Sequence, residues 1–252
     1  MGLIAAEIRK LRTVRTTWVI TLIGVALSGL TAGLFLFERT MTGPFEGTDA
    51  QIANAIEQIG ANSVIVVVIG LLSMTTEFRH GTAGRTFQLT PSRTRVMLAK
   101  LAVGALYGIV FFVLSLVAVF ALVLIAGITL DDGLVFGSET VDALWQGPVG
   151  LALAAVLGVA VGALLRNQVV AITVTLVYVF LGETLVNQVF PEVARWMPFQ
   201  VLNSLYLSEE AMAGMPEGMV QPLDAATAWP VFLGYVAVFT VAAIALMRYR
   251  DV

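Results

Sequence analysis

The sequence predicts an all-α, polytopic membrane protein with six transmembrane helices, and three observations carry that expectation. Of 252 residues, 58% are hydrophobic and only 12% are charged, against about 45–50% and about 25% in ordinary soluble domains. The apolar residues stand in long continuous blocks, not in the alternating or amphipathic patterns of a water-soluble core. Lysine and arginine crowd into every second connection between those blocks, the charge pattern of a chain threaded back and forth through a bilayer. A membrane β-barrel would instead show repeated short segments of alternating polarity.

Residues 1–15 place Leu3, Ile4, Ile8 and Leu11 along one helical face, with Glu7, Lys10 and the arginines mostly elsewhere. This is the pattern of an interfacial amphipathic helix lying on the membrane. Spans follow at about 16–37, 58–76, 101–130, 143–165, 167–190 and 225–247, all free of Asp, Glu, Lys and Arg except for Glu183. A helix rising about 1.5 Å per residue crosses a hydrocarbon core about 30 Å thick in about 20 residues, so each block suffices. The block at 101–130 is long enough to require a tilt, a protrusion or its own interfacial turn. The first block is a full span behind a basic segment, which predicts a retained anchor instead of a cleaved signal. Residues 1–252 therefore read as a single transmembrane domain.

The orientation follows from the cations. One face carries 1–15, 77–100, Arg166 and the tail from Arg248, with 12 basic residues against the acids Glu7, Glu77 and Asp251. The other has only Arg39 and Arg195 against 14 acids. Short basic loops are retained in the cytoplasm, so a multi-pass protein of the bacterial cytoplasmic (inner) membrane with both termini cytoplasmic is expected.

Several chemistries are excluded. With Cys 0 and one histidine, His80, the chain has no disulfide, no thiolate metal site and no two-histidine zinc motif. It has no Gly-x-x-x-x-Gly-Lys-Ser/Thr phosphate loop and no Gly-x-Ser-x-Gly elbow. Hydrolysis inside lipid needs an activated nucleophile or a metal, yet the spans contain no His, Cys or Asp. No catalytic or metal-binding residue is assigned.

The basic connection at 77–100 is longer than two spans require. It reads Thr76-Glu77-Phe78-Arg79-His80-Gly81-Thr82, then Pro91-Ser92-Arg93-Thr94-Arg95, then Ala99-Lys100 entering the third span. Glu77 lies within sequence reach of Arg79, Arg85, Arg93 and Arg95, so an ion pair bracing the loop is expected. Gly81 and Gly84 permit sharp turns, and Thr90-Pro91 ends one helix before another begins at about Ser92. His80 reads as a loop or interface residue. Later, Trp196-Met197-Pro198-Phe199 precedes a mildly apolar run to Leu207.

In these features, over nearly its whole length, the chain resembles the permease subunits of type-2 ATP-binding cassette (ABC) exporters. The resemblance implies a coupling helix between spans 2 and 3 that docks in a groove of a separate nucleotide-binding ATPase subunit. It assigns Glu77, Phe78, Arg79, His80, Gly81, Thr82, Arg93 and Lys100 to that coupling. It also implies a second permease copy, identical or related, and a re-entrant or interfacial segment before the last span. ATP and magnesium are expected on the ATPase, with no cofactor in this chain; membrane lipid surrounds it and nucleic acid is not a partner. The expected cargo is an amphipathic drug, lipid or antimicrobial peptide moved outward. The rival reading is a non-transporting membrane scaffold or sensor partner, since six spans and a docking loop would serve that role too.

Glu183, the one acid within a span, lies 17 residues beyond Arg166, roughly 25 Å along a straight helix. That depth predicts a carboxylate snorkelling at the outer headgroups, and with Asn187 it is the candidate for a substrate path or outer polar patch. Gly29 with Gly33, Gly104 with Gly108, and Gly158 with Gly162 have the spacing of close helix approach, within the unit or between copies. Residues 38–59 read as a short acidic outer segment and 191–224 as a longer one, in which Val201, Leu202, Leu205 and Tyr206 suit an interfacial helix.

Overall fold

At membrane depth every backbone N–H and C=O must find its partner within the protein, and the chain meets that demand with helices. The computed structural model describes residues 2–42, 45–82, 92–128, 130, 133–207, 212 and 220–249, with the backbone alone at 37–42, 248 and 249. Among the described residues there is no strand. A first helix, α1 (Leu3–Thr13), leads into α2 (Arg15–Thr42). Next come α3 (Asp49–Ala61) and α4 (Ser63–Arg79), then α5 (Arg93–Gly127) and α6 (Ser138–Leu165). Helices α7 (Gln168–Val177) and α8 (Thr184–Val189) are joined by a π-helical turn at Tyr178–Glu183. Two short helices, α9 (Pro191–Ala194) and α10 (Pro198–Ser204), precede α11 (Ala225–Tyr249).

Six of these runs are long and apolar enough to cross a membrane: Arg15–Leu36, Asp49–Arg79, Arg93–Gly127, Ser138–Leu165, Gln168–Val189 and Ala225–Met247. The fold class is thus the one the sequence predicts, an all-α polytopic membrane protein. The second span begins earlier than the uncharged stretch does. Residues 49–59, read from sequence as part of an acidic outer segment, form helix α3, in which Ile52, Ile56 and Ile59 are buried. Two acids, Asp49 and Glu57, and three amides, Gln51, Asn54 and Gln58, hid a helix whose buried face carries Ile52, Ile56 and Ile59. At its junction with α4, Asn62 donates to Gln58 O (3.1 Å) and to the hydroxyls of Ser28 and Thr31 (both 3.4 Å), which supplies polar partners at the break.

The third span is one continuous helix of 35 residues, about 52 Å long at about 1.5 Å per residue. It exceeds a hydrocarbon core of about 30 Å because it starts ahead of the apolar block, at Arg93, and carries Arg95 and Lys100 out on the basic face.

Helix α6 is the centre of the bundle. A Cβ on Gly162 would stand 2.7 Å from the Leu71 carbonyl oxygen, and one on Gly158 2.9 Å from the Val67 Cα. The glycines therefore let α6 lie backbone to backbone on α4. Gly108 brings α5 equally close to Leu151 and Ala152 of α6, whereas Gly29 has ordinary contact, 3.9 Å, with Ala118. Two of the three glycine pairs are thus consumed by packing inside the chain. The N-terminus of α6 is held from outside: the Asp49 carboxylate accepts from Gly137 N (2.7 Å), Glu139 N (3.0 Å), Thr140 N (3.0 Å) and Thr140 Oγ1 (2.5 Å). A carboxylate there satisfies orphan amides and complements the helix dipole.

Two stability predictions follow from this packing. Gly158→Val should destabilise the purified chain by about 1–3 kcal/mol, the usual range for overpacking, while Gly29→Ala stays within about 0.5 kcal/mol of the parent; reversible unfolding in mixed micelles measures both. Asp49→Ala should cost about 0.5–2 kcal/mol as a lost helix cap, and an unchanged stability would show that the cap carries no weight.

Candidate functional site

The charged residues around the 77–100 connection gather at the basic face. Glu7 projects from α1, Glu77 from the last turn of α4 and Lys100 from the third turn of α5. Lys100 Nζ donates to Glu7 Oε2 and to Glu77 Oε1, both at 2.7 Å, and to the Ser73 carbonyl at 3.4 Å. Lys10 Nζ donates to Glu7 Oε1 and Glu77 Oε1, both at 2.6 Å. Two carboxylates and two ammonium groups thus alternate around a closed, charge-neutral ring. The side chain of Lys100 is only 1% exposed and those of Glu7 and Glu77 6% and 9%, while Lys10 closes the ring on the solvent side at 44%. Burial works against the Lys10 charge, but the hydrogen bonds and attraction of Glu7 and Glu77 outweigh it and hold the ammonium above the usual lysine value.

This geometry corrects one expectation and adds to another. Glu77 pairs with the chain's two lysines; among the arginines expected to brace it, Arg79 donates to Gln168 Oε1 of α7 (3.3 Å) and Arg93 to the Met247 carbonyl of α11 (3.2 Å). The α1 helix does form, yet Glu7 is its buried residue and faces the bundle, while Ile4 is 52% exposed. The i, i+3 spacing of Glu7 and Lys10 lets α1 dock on the bundle through this one edge, while Arg9 and Arg12 stay exposed.

The remaining residues of the connection flank the ring. Phe78 lies under the Arg166 guanidinium, 5.4 Å from its ring centre, and Arg166 reaches the Leu246 carbonyl at 3.5 Å. His80 ends α4 and is exposed, Gly81 turns the chain at φ +65°, and Thr82 Oγ1 donates to the Glu77 carbonyl at 3.4 Å. Residues 83–91, where the coupling helix is expected and which include Gly84, Arg85, Thr90 and Pro91, lie outside the described residues. Beside the ring is a cavity of about 480 Å³ whose walls include Lys10, Glu77, Arg79, His80 and Gln168.

Glu183 is elsewhere and does something else. It is 1% exposed, where the sequence suggested a snorkelling carboxylate. Its oxygens accept from Phe199 N and Gln200 N, both at 3.0 Å, at the start of α10, and Tyr178 also bonds to it. The chain after α8 folds back far enough to bring a helix N-terminus to the carboxylate, whose amides replace part of its hydration. Asn187, one turn on, is exposed and is not among these partners. In and just after α10, Val201, Leu202 and Leu205 are fully buried, so these side chains pack into the core.

Sequence reasoning missed Glu7 and Lys10 as members of the site. A signal existed: the chain has two lysines among 14 cations, and both belong to the ring. Comparison with curated proteins returns no match. The family model described as ABC-2 family transporter protein matches residues 3–182, a stretch that holds α1, the first four spans, the whole ring and Glu77–Lys100. The chain belongs to that family of membrane transport proteins, as a permease subunit.

Proposed function

We propose that this permease is the membrane half of an ATP-driven exporter, energised by a separate nucleotide-binding subunit that docks on the 77–100 connection. The basic face is then cytoplasmic, as the cation distribution favours. Two copies of the permease, or this chain and a relative, enclose the path. The cargo is an amphipathic drug, lipid or antimicrobial peptide, and ATP and magnesium act on the partner subunit.

The observation that supports this most is the position of the ring. Glu77 and Lys100 bound the connection on either side, and both are bonded to α1. A push delivered to the connection reaches span 2, span 3 and α1 together, because separating any one of them strands a buried charge. Phe78, Arg79 and Arg93 extend the same contact to spans 4, 5 and 6 through Arg166, Gln168 and Met247. His80, Gly81 and Thr82 form the exposed corner presented to a partner.

The test is to purify the tagged chain from native membranes with its partners and reconstitute the complex. Recovery of an ATPase subunit is expected; recovery without one favours the scaffold reading. In Glu77→Ala and Arg79→Ala, ATP hydrolysis should persist while transport of an amphipathic dye falls about 5–150-fold, the span of coupling free energies of about 1–3 kcal/mol. Wild-type transport in both variants would remove the coupling assignment.

A further inference from the structure

A second cavity adjoins the first. About 250 Å³ in volume, it is a groove between the α1–α2 corner and α5, lined among others by Ile8, Trp18, Leu106 and Val110. Leu11, Thr17 and Val103 line both cavities, so the polar chamber and the apolar groove adjoin across these three residues. The groove's α5 wall runs from Val103 to Leu114, about 16 Å at about 1.5 Å per residue, or one leaflet of a core about 30 Å thick. Thr21 Oγ1 and the Tyr107 hydroxyl are satisfied by one another at 2.6 Å, and Trp18 Nε1 donates to the Arg12 carbonyl at 2.8 Å. The groove wall therefore offers aliphatic and aromatic surface with its polar atoms already used.

Charge selects the occupant. Among the described residues, Arg12 is the one charged residue of the groove lining. In the chamber, Lys10, Arg79 and Lys100 stand against Glu7 and Glu77. Both carboxylates and both lysines are committed to the neutral ring, whereas Arg12 and Arg79 lie outside it and are exposed. The surplus charge of the two adjoining cavities is thus cationic, Arg12 on the groove and Arg79 on the chamber, beside an apolar slot of one leaflet's length.

We propose that chamber and groove together bind one anionic glycerophospholipid from the leaflet at the basic face, its phosphate held by Arg12 and Arg79 and one acyl chain along α5 from Val103 to Leu114. Such a lipid would rest against α1 and span 3 at once, next to the ring that joins them. The inference takes from the proposed function only that the basic face is cytoplasmic.

Trp18 provides the readout. The full chain carrying Trp145→Phe, Trp196→Phe and Trp229→Phe retains Trp18 as its fluorophore and is reconstituted in phosphatidylcholine vesicles. A small mole fraction of the lipid is replaced by acyl-brominated phosphatidylglycerol or, in parallel, by acyl-brominated phosphatidylcholine. The phosphatidylglycerol should quench Trp18 several-fold more efficiently than the phosphatidylcholine, and adding Arg12→Gln with Arg79→Gln should equalise them. Equal quenching in the parent, meaning contact with annular lipid only, overturns the site; a preference that survives both arginine substitutions overturns the headgroup assignment. Should the tryptophan substitutions prevent folding, native mass spectrometry of the unaltered chain decides: one retained anionic phospholipid, lost in the arginine variant, is expected, and none retained contradicts the proposal. Neither readout needs nucleotide or an ATPase, so its failure is distinguishable from failure of the coupling reading.

Discussion

An ammonium group that is 1% exposed fixes the architecture of the basic face. Removing such an ion from water costs several kcal/mol unless partners with good geometry compensate it, and Lys100 finds them on two other elements. Glu77 ends span 2, Glu7 sits on the leading helix, and Lys10 closes the ring from outside. The corner between α1 and α2, the start of span 3 and the end of span 2 are consequently positioned by one electrostatic requirement. The cavity beside the ring and the groove beside it are both walled in part by α1, which Glu7 draws onto the bundle.

Charge does comparable work at the ends of other helices, in the sense the helix dipole favours. On the acidic face, Asp49 holds the N-terminus of α6 and Glu183 that of α10. On the basic face, Arg93 and Arg166 reach the last carbonyls of α11. Lipid offers no partner to these terminal backbone groups, so side chains of neighbouring spans supply them. The same contacts tie together spans that are not neighbours along the chain, span 2 to span 4 and span 3 to span 6.

The span count and the two-faced charge distribution were legible because they depend on composition and on 20-residue averages. The glycine pairs in α5 and α6 were legible as close approaches, though only the structure chose between packing within the chain and packing between copies. What the sequence concealed depends on long-range pairing. Glu77 looked nearest to arginines along the chain, but its partners are 67 and 23 residues away. Glu183 looked solvent-seeking because the backbone amides of Phe199 and Gln200 are invisible to any hydropathy scale. Helix α3 was hidden by two acids and three amides, and one of the acids is a cap for a different helix.

The most direct measurement of the central claim is a double-mutant cycle between Glu7 and Lys100, followed by reversible unfolding in mixed micelles. Each of Glu7→Gln and Lys100→Met leaves buried charge uncompensated and should cost about 3–5 kcal/mol. The double variant should be far less unstable than the sum of the two, because neither charge then remains to be stranded. Additive losses, or singles within about 0.5 kcal/mol of the parent, would contradict the claim that this ring holds α1 and span 3 together.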